Sequence, residues 1–178
     1  MLEHLQLNLQ KRPNGEGGSA PNLVLFDIVE SSSKTPLGTV RTSRRPRWQL
    51  WPRATCLKVH EVEDDPLLFS VKGLWTWPRA WEIRDADDAP VGRLQRGTII
   101  SWRSSISEIF LVTQEKGLLF FSSTGGQLGT LVDEKEGCTL TFSESLSEDP
   151  FTKMLLLGGS LAWRMHSKAL PRSPEARG

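Results

Sequence analysis

Net charge, cysteine, histidine and tyrosine are all scarce in these 178 residues, and most of these scarcities narrow what the chain can do. A formal charge of +1 at pH 7 gives no global attraction to nucleic acid or membrane, so any electrostatic function has to come from local clusters. The two cysteines, Cys56 and Cys138, lack the paired spacing of a zinc site and are expected as buried, reduced thiols. Met1 to Gln10 contains Glu3 and lacks the basic start and apolar run of a secretory signal, so a cytoplasmic location is expected. The aromatic complement is seven Trp and seven Phe with no Tyr.

Catalytic and metal-binding patterns are also missing. His4, His60 and His166 are far apart, and only His60 stands where an ordered base is expected. Its alternation with apolar neighbours in Lys58-Val59-His60-Glu61-Val62 assigns it to the polar face of a strand. Gly125-Gly126-Gln127-Leu128-Gly129 lacks the Lys and Ser/Thr of a phosphate loop. Asp85-Ala86-Asp87-Asp88-Ala89 begins like a calcium loop, then places Pro90 where such a loop needs Gly and Arg96 where it needs Glu. It is expected to be a hairpin turn. No enzyme activity, metal or cofactor is expected.

What the chain does have is a recurring hairpin. An apolar strand, a polar connection, an apolar residue, a glycine and a second strand run from Phe26-Asp27-Ile28 to Leu37-Gly38-Thr39-Val40. The pattern returns in Trp81-Glu82-Ile83 to Val91-Gly92-Arg93-Leu94 and in Leu119-Phe120-Phe121 to Leu128-Gly129-Thr130-Leu131. The glycines are 54 and 37 residues apart, which is not the constant period of a solenoid or propeller. Strand-like runs fall near 23–30, 37–42, 47–51, 55–62, 66–72, 80–85, 91–96, 98–103, 107–113, 117–122, 127–132 and 138–143. Their number and spacing predict one sandwich or barrel.

The end of this region departs from β structure. Asp149 can cap the first backbone N–H groups of a helix, Pro150 suits the first helical position, and Phe151 to Trp163 is apolar nearly all round. A helix with no polar stripe has to be buried on every side. Lys153 and Arg164 bracket ten residues, about 15 Å of helix against roughly 30 Å of hydrocarbon, too short to span a bilayer. Gly158-Gly159 permits close approach by surrounding strands. The expected fold is mainly β, a twelve-stranded barrel enclosing a hydrophobic C-terminal α-helix. The predicted organisation is a flexible segment over 1–22, a barrel domain over 23–165 with its helix near 150–164, and a flexible basic tail over 166–178.

These hairpins, the Asp65-Pro66-Leu67-Leu68-Phe69-Ser70-Val71-Lys72 strand and the terminal apolar helix resemble the tubby C-terminal-like superfamily, which includes phospholipid scramblases and LURP-one-related proteins. The resemblance covers roughly residues 20 to 165 and implies a twelve-stranded barrel around a central helix. The proline-rich N-terminal region and acylated cysteine cluster of animal scramblases have no counterpart, and no segment after the helix is suited to cross a bilayer. Headgroup binding is therefore the expectation, and lipid flipping is not.

The most suggestive local chemistry lies between residues 41 and 53. Arg41, Arg44, Arg45, Arg47 and Arg53, with Trp48 and Trp51 and no acid, can bind phosphate bidentately while the indoles sit at a membrane interface. The alternative is a solvated loop with both tryptophans turned into the barrel. A second set, Lys72, Trp75, Trp77, Arg79, Arg93, Arg96, Trp102 and Arg103, is expected to be ordinary barrel wall, with some cations outward and their aromatic neighbours inward; the alternative is an extension of the anion-binding surface. The expected function is a non-enzymatic module for anionic phospholipid headgroups such as phosphoinositides, located at the cytoplasmic membrane surface. The competing expectation is a protein–protein scaffold. Nucleic acid is disfavoured by the near-neutral charge.

Overall fold

Alternating apolar residues supply the strands, and the chain winds them into a wall one after another. The computed structural model describes residues 1–12, 22–43, 55–135 and 137–167. Twelve strands follow in order: β1 (Gln6–Lys11), β2 (Asn22–Glu30), β3 (Pro36–Ser43), β4 (Cys56–Glu61), β5 (Leu67–Leu74) and β6 (Ala80–Asp85) form the first half. β7 (Pro90–Gln95), β8 (Thr98–Ser101), β9 (Glu108–Gln114), β10 (Gly117–Ser122), β11 (Gln127–Asp133) and β12 (Gly137–Phe142) form the second. Every neighbouring pair is antiparallel, and β1 pairs with both β2 and β12, so the barrel is closed. Closure removes the exposed sheet edges on which other chains could pair.

The barrel encloses helix α1 (Pro150–Ser167), as the apolar pattern requires. Residues 152–162 of the helix are all buried. Asp149 caps its start, with the Thr152 N–H donating to Asp149 Oδ1 at 2.9 Å. A second hydrogen bond, from Ser105 Oγ to Asp149 Oδ2 at 2.8 Å, fixes the cap to the wall. Lys153 is buried too, and its Nζ donates to the backbone carbonyls of Leu2 at 2.8 Å and Ser147 at 3.4 Å. Among the described residues no helix is long and apolar enough to cross a membrane.

The three glycine hairpins are β2–β3, β6–β7 and β10–β11, four strands apart around the wall. Their registers match in detail. Gly38 pairs with Ile28, Gly92 with Ile83 and Gly129 with Phe120, and directly after each pair the register slips past one apolar residue of the second strand. Such a bulge adds local twist and bends the strand, which a small barrel needs at its rim. All three glycines answer to the same contact: a Cβ would stand 2.5 Å from the His60 carbonyl oxygen, 2.7 Å from that of Ile100 and 2.8 Å from that of Thr141. At Gly92 the added carbon would also meet Leu155 of the helix at 2.6 Å. The helix glycines work from the other side, since a Cβ on Gly158 or Gly159 would lie within 2.9 Å of Ile83 or Ile99.

The predicted strands and the observed ones differ in one place. Residues 6–11 belong to the predicted flexible segment 1–22, yet they form β1, the strand that closes the barrel. Leu7 and Leu9 are fully buried, and the pairing of both edges of β1 supplies what two apolar residues alone cannot. The run predicted near 47–51 lies outside the described residues, and β3 pairs directly with β4 without it. Of the predicted flexible ends, residue 22 begins β2 and residues 166–167 continue α1, while 13–21 and 168–178 lie outside the described residues.

Two substitutions test this packing. Gly92→Val places a branched side chain against a backbone carbonyl that cannot move aside, and should destabilise the protein by about 1 to 3 kcal/mol in a denaturant titration. Leu156→Asp buries an unpaired carboxylate at a fully enclosed position and should cost several kcal/mol. Full stability of the aspartate variant in thermal melts would contradict an enclosed helix.

Candidate functional site at one end of the barrel

Because the strands run in chain order with alternating direction, the connections alternate between two ends. One end receives the β2–β3, β4–β5, β6–β7, β8–β9 and β10–β11 connections and the start of α1. It carries Glu63, Asp64, Asp65, Asp87, Asp88, Glu144, Glu148 and Asp149, against Lys34 and Arg103. The other end receives the β5–β6, β7–β8, β9–β10 and β11–β12 connections and the end of α1. There Arg79, Arg96, Lys116 and Lys135 face Glu115 and Glu134 among the described residues. The chain also leaves β3 at Ser43 and re-enters β4 at Cys56 at this end; Arg44, Arg45, Arg47 and Arg53 fall between them in sequence. Among the described residues the connections are thus acidic at one end and carry an excess of cations at the other, the basic end.

Most cations elsewhere are already matched. Arg41 donates two hydrogen bonds to the carboxylate of Asp65, at 2.8 and 2.7 Å. Burial opposes ionisation of that carboxylate, but the Arg41 hydrogen bonds outweigh it and hold Asp65 below the usual range. Of the predicted anion-binding residues, Arg41 therefore turns towards the acidic end with its charge paired. Arg44, Arg45, Arg47, Trp48, Trp51 and Arg53 lie outside the described residues.

The acidic hairpin at Asp85 is the turn predicted from sequence. Asp85 Oδ1 accepts the N–H groups of Asp87 at 3.1 Å and Ala89 at 2.8 Å, Oδ2 accepts from Arg103, and Asp88 is paired with Lys72 and Arg84. No cluster of potential metal ligands occurs among the described residues. His60 Nδ1 is 3.1 Å from the carbonyl oxygen of Asp65, and His4 Nδ1 is 3.0 Å from Glu30 Oε1.

Of the second mixed set, Lys72 on β5 and Arg93 on β7 lie in the barrel wall as expected, whereas its tryptophans do not turn inward. Trp75 and Trp77, in the β5–β6 connection, are 69% and 99% exposed. Neither can point inward, because Leu74 ends the strand and the connection projects beyond the rim. Trp102 is 50% exposed at the acidic end, beside the Arg103–Asp85 pair. Arg93 lies on β7 in register with Glu82 and Ile100. Arg79 and Arg96 remain at the basic end, both exposed, with no carboxylate partner among the described residues. Arg79 is stacked 5.1 Å from the ring centroid of Trp81.

Between these two arginines the barrel mouth opens into a cleft of about 400 Å³. Its floor is Trp81, Leu94 and Leu118 from the wall and Ala162 from the helix, all buried. Its sides are Leu111 and Thr113 of β9 and Trp163 of α1, and Trp77, Arg79 and Arg96 stand at the rim. Sequence reasoning had Trp77, Arg79 and Arg96 in view but could not assemble the cleft. Its parts come from β6, β7, β9, β10 and α1, and only closure of the barrel brings them together. The available signal was the connection Trp75-Thr76-Trp77-Pro78-Arg79, which holds two indoles where polar turn residues usually stand.

On the opposite side of the mouth, Arg164 anchors the helix. It is paired with Asp133 at 2.7 Å and lies 5.6 Å over the Phe26 ring. Beside it, burial pushes the Cys138 thiol from its ordinary 9.0 up to about 11, with Arg164 pulling in the opposite direction. Neither cysteine forms a disulfide.

No protein-family model, curated protein or solved structure matches the chain.

The Cys138 environment sets a pH dependence. The folded protein retains the thiol proton until about pH 11, whereas the unfolded chain releases it near 9.0. The unfolded state is therefore favoured as pH rises through this window, and stability should fall by roughly 2 to 3 kcal/mol. Lys153 works oppositely, because burial lowers its pKa and its proton is lost earlier in the folded state. Comparison of wild type with Cys138→Ala in denaturant titrations from pH 8 to 11 isolates the thiol. A flatter profile for the variant is expected, and identical slopes would overturn the assignment.

Proposed function

We propose that the protein is a non-enzymatic module that docks its basic end on anionic phospholipid surfaces. The observation that carries this reading is the 99% exposed indole of Trp77, beside Trp75 and beside Arg79 and Arg96, which have no carboxylate partner among the described residues. An indole fully in water gains when it enters the headgroup region, where its ring is buried and its N–H remains hydrated. The cations beside it are attracted by the negative potential of an anionic leaflet. The acidic opposite end is turned away from the membrane in this orientation. The resemblance to scramblase-like and LURP-one-related proteins points the same way. In this reading the protein is peripheral and cytoplasmic, and needs no spanning segment. A protein scaffold would account for exposed tryptophans, but gains nothing particular from two exposed arginines without a carboxylate partner among the described residues beside them. Nucleic acid binding gains nothing from a chain with one acidic end and a net charge near zero.

Cosedimentation with phosphatidylserine- or phosphoinositide-containing vesicles tests the proposal. Wild type should bind anionic but not neutral vesicles, and binding should weaken as salt rises. Replacing both Arg79 and Arg96 with Gln should weaken it about 30-fold, at about 1 kcal/mol per basic residue. Arg44, Arg45 and Arg47 changed together to Ser should weaken it by roughly two orders of magnitude on the same basis. Trp77→Ala should also reduce binding, whereas Lys34→Gln, at the acidic end, should not. Wild-type binding indifferent to vesicle charge, or absent altogether, would discard lipid docking and favour the scaffold.

A further inference from the structure

We infer that the cleft in the barrel mouth is a binding site for a single acyl chain carrying an anionic headgroup, with the chain inside and the charge between Arg79 and Arg96. This rests on the reading of the basic end as lipid-facing and names the part of the lipid taken up there. The cleft has two chemically distinct zones. Its floor and sides are almost wholly apolar, formed by Trp81, Leu94, Leu111, Leu118, Ala162 and Trp163. Its rim carries two guanidinium groups with no carboxylate partner among the described residues. A wholly apolar guest would leave that charge unanswered, and a bare phosphate would leave the apolar floor in contact with water. A molecule with a hydrocarbon chain at one end and a carboxylate or phosphate at the other answers both. The volume of about 400 Å³ lies within the range of roughly 300–1,000 Å³ usual for small-molecule sites.

The geometry also explains why the helix stops filling the barrel here. Along its buried stretch α1 meets the wall closely, with glycines at 158 and 159 against Ile83 and Ile99. Three residues later the small side chain of Ala162 faces the cleft, and Trp163 borders it. Arg164, paired with Asp133 and stacked over Phe26, fixes the helix end to the other side of the mouth. The space on the β6–β10 side is therefore built into the packing. Trp77, at its edge, is placed to cover a chain entering from a bilayer.

Titration with monomeric fatty acids in the absence of membranes tests this, read by calorimetry and by the fluorescence of Trp77, Trp81 and Trp163. Octanoate, decanoate and dodecanoate should bind progressively tighter, about fourfold per methylene until the cleft is full. Dodecanol should bind at least tenfold more weakly than dodecanoate, and acetate should not bind. Arg79→Gln with Arg96→Gln should abolish the preference for dodecanoate over dodecanol while retaining the chain-length dependence. Thr113→Trp, at an exposed position on the side of the cleft, should block the chain, with a melting temperature near wild type confirming the fold. Absence of dodecanoate binding, affinity independent of chain length, or undiminished binding by a folded Thr113→Trp variant would each overturn the inference. Vesicle binding without dodecanoate binding would remove the acyl site and leave surface docking intact. Dodecanoate binding without vesicle binding would support the acyl site and remove surface docking.

Discussion

A helix that is apolar around its whole circumference has no stable place in water unless something surrounds it, and the rest of this structure follows from that requirement. Residues 152–162 of α1 are buried without interruption, so a wall has to approach from every direction. Twelve antiparallel strands provide it. The wall comes close where glycines on both partners remove side chains: Gly92 admits Leu155 from the strand side, and Gly158 admits Ile83 from the helix side. The two cations bracketing the apolar run are accommodated by specific partners, since an unpaired buried charge costs several kcal/mol. Lys153 reaches the Leu2 carbonyl at one end, and Arg164 reaches Asp133 near the other.

The partner of Lys153 also accounts for the role of the N-terminal residues. Leu2 lies just ahead of β1, so the first residues both close the barrel and receive the helix's buried ammonium group. The Met1 amino group, 2.8 Å from Glu61 Oε1, ties the same segment to β4. At the acidic end the helix cap, the first residues and a network of carboxylates engage neighbouring groups around a pocket of about 390 Å³ lined by Met1, Leu2, Glu61, Leu68, Ser147 and Pro150. At the basic end the helix is held to one side by Arg164, and the mouth is open opposite it. The two pockets differ in lining: Glu3, Glu61 and Glu148 border the one at the acidic end, whereas Arg79, Arg96 and a largely apolar wall form the other.

The hairpins were legible in sequence because a bulge rim imposes a local pattern. An apolar residue followed by glycine, as in Leu37-Gly38, Val91-Gly92 and Leu128-Gly129, marks the extra residue of the bulge and the position where the neighbouring carbonyl leaves no room for Cβ. The enclosed helix was legible for a similar reason, since the absence of a polar stripe leaves burial as the single outcome. β1 was not legible as a strand. Gln6–Lys11 has two apolar residues in six, and its place between β2 and β12 is decided by strands that end at opposite extremes of the chain.

The amino-acid sequence by itself determined the class of fold, the burial of the helix and the hairpin at Asp85, because each is written in a local pattern of residue types along the chain. Only the tertiary structure decided which arginines find a carboxylate. Arg41 and Arg79 look alike in sequence, but Asp65 lies within reach of the first and no carboxylate is paired with the second among the described residues. The polarity of the barrel, the exposure of Trp77 and the cleft beneath it likewise arise from alternating connections converging on one end, and that convergence exists only once twelve strands have closed around the helix.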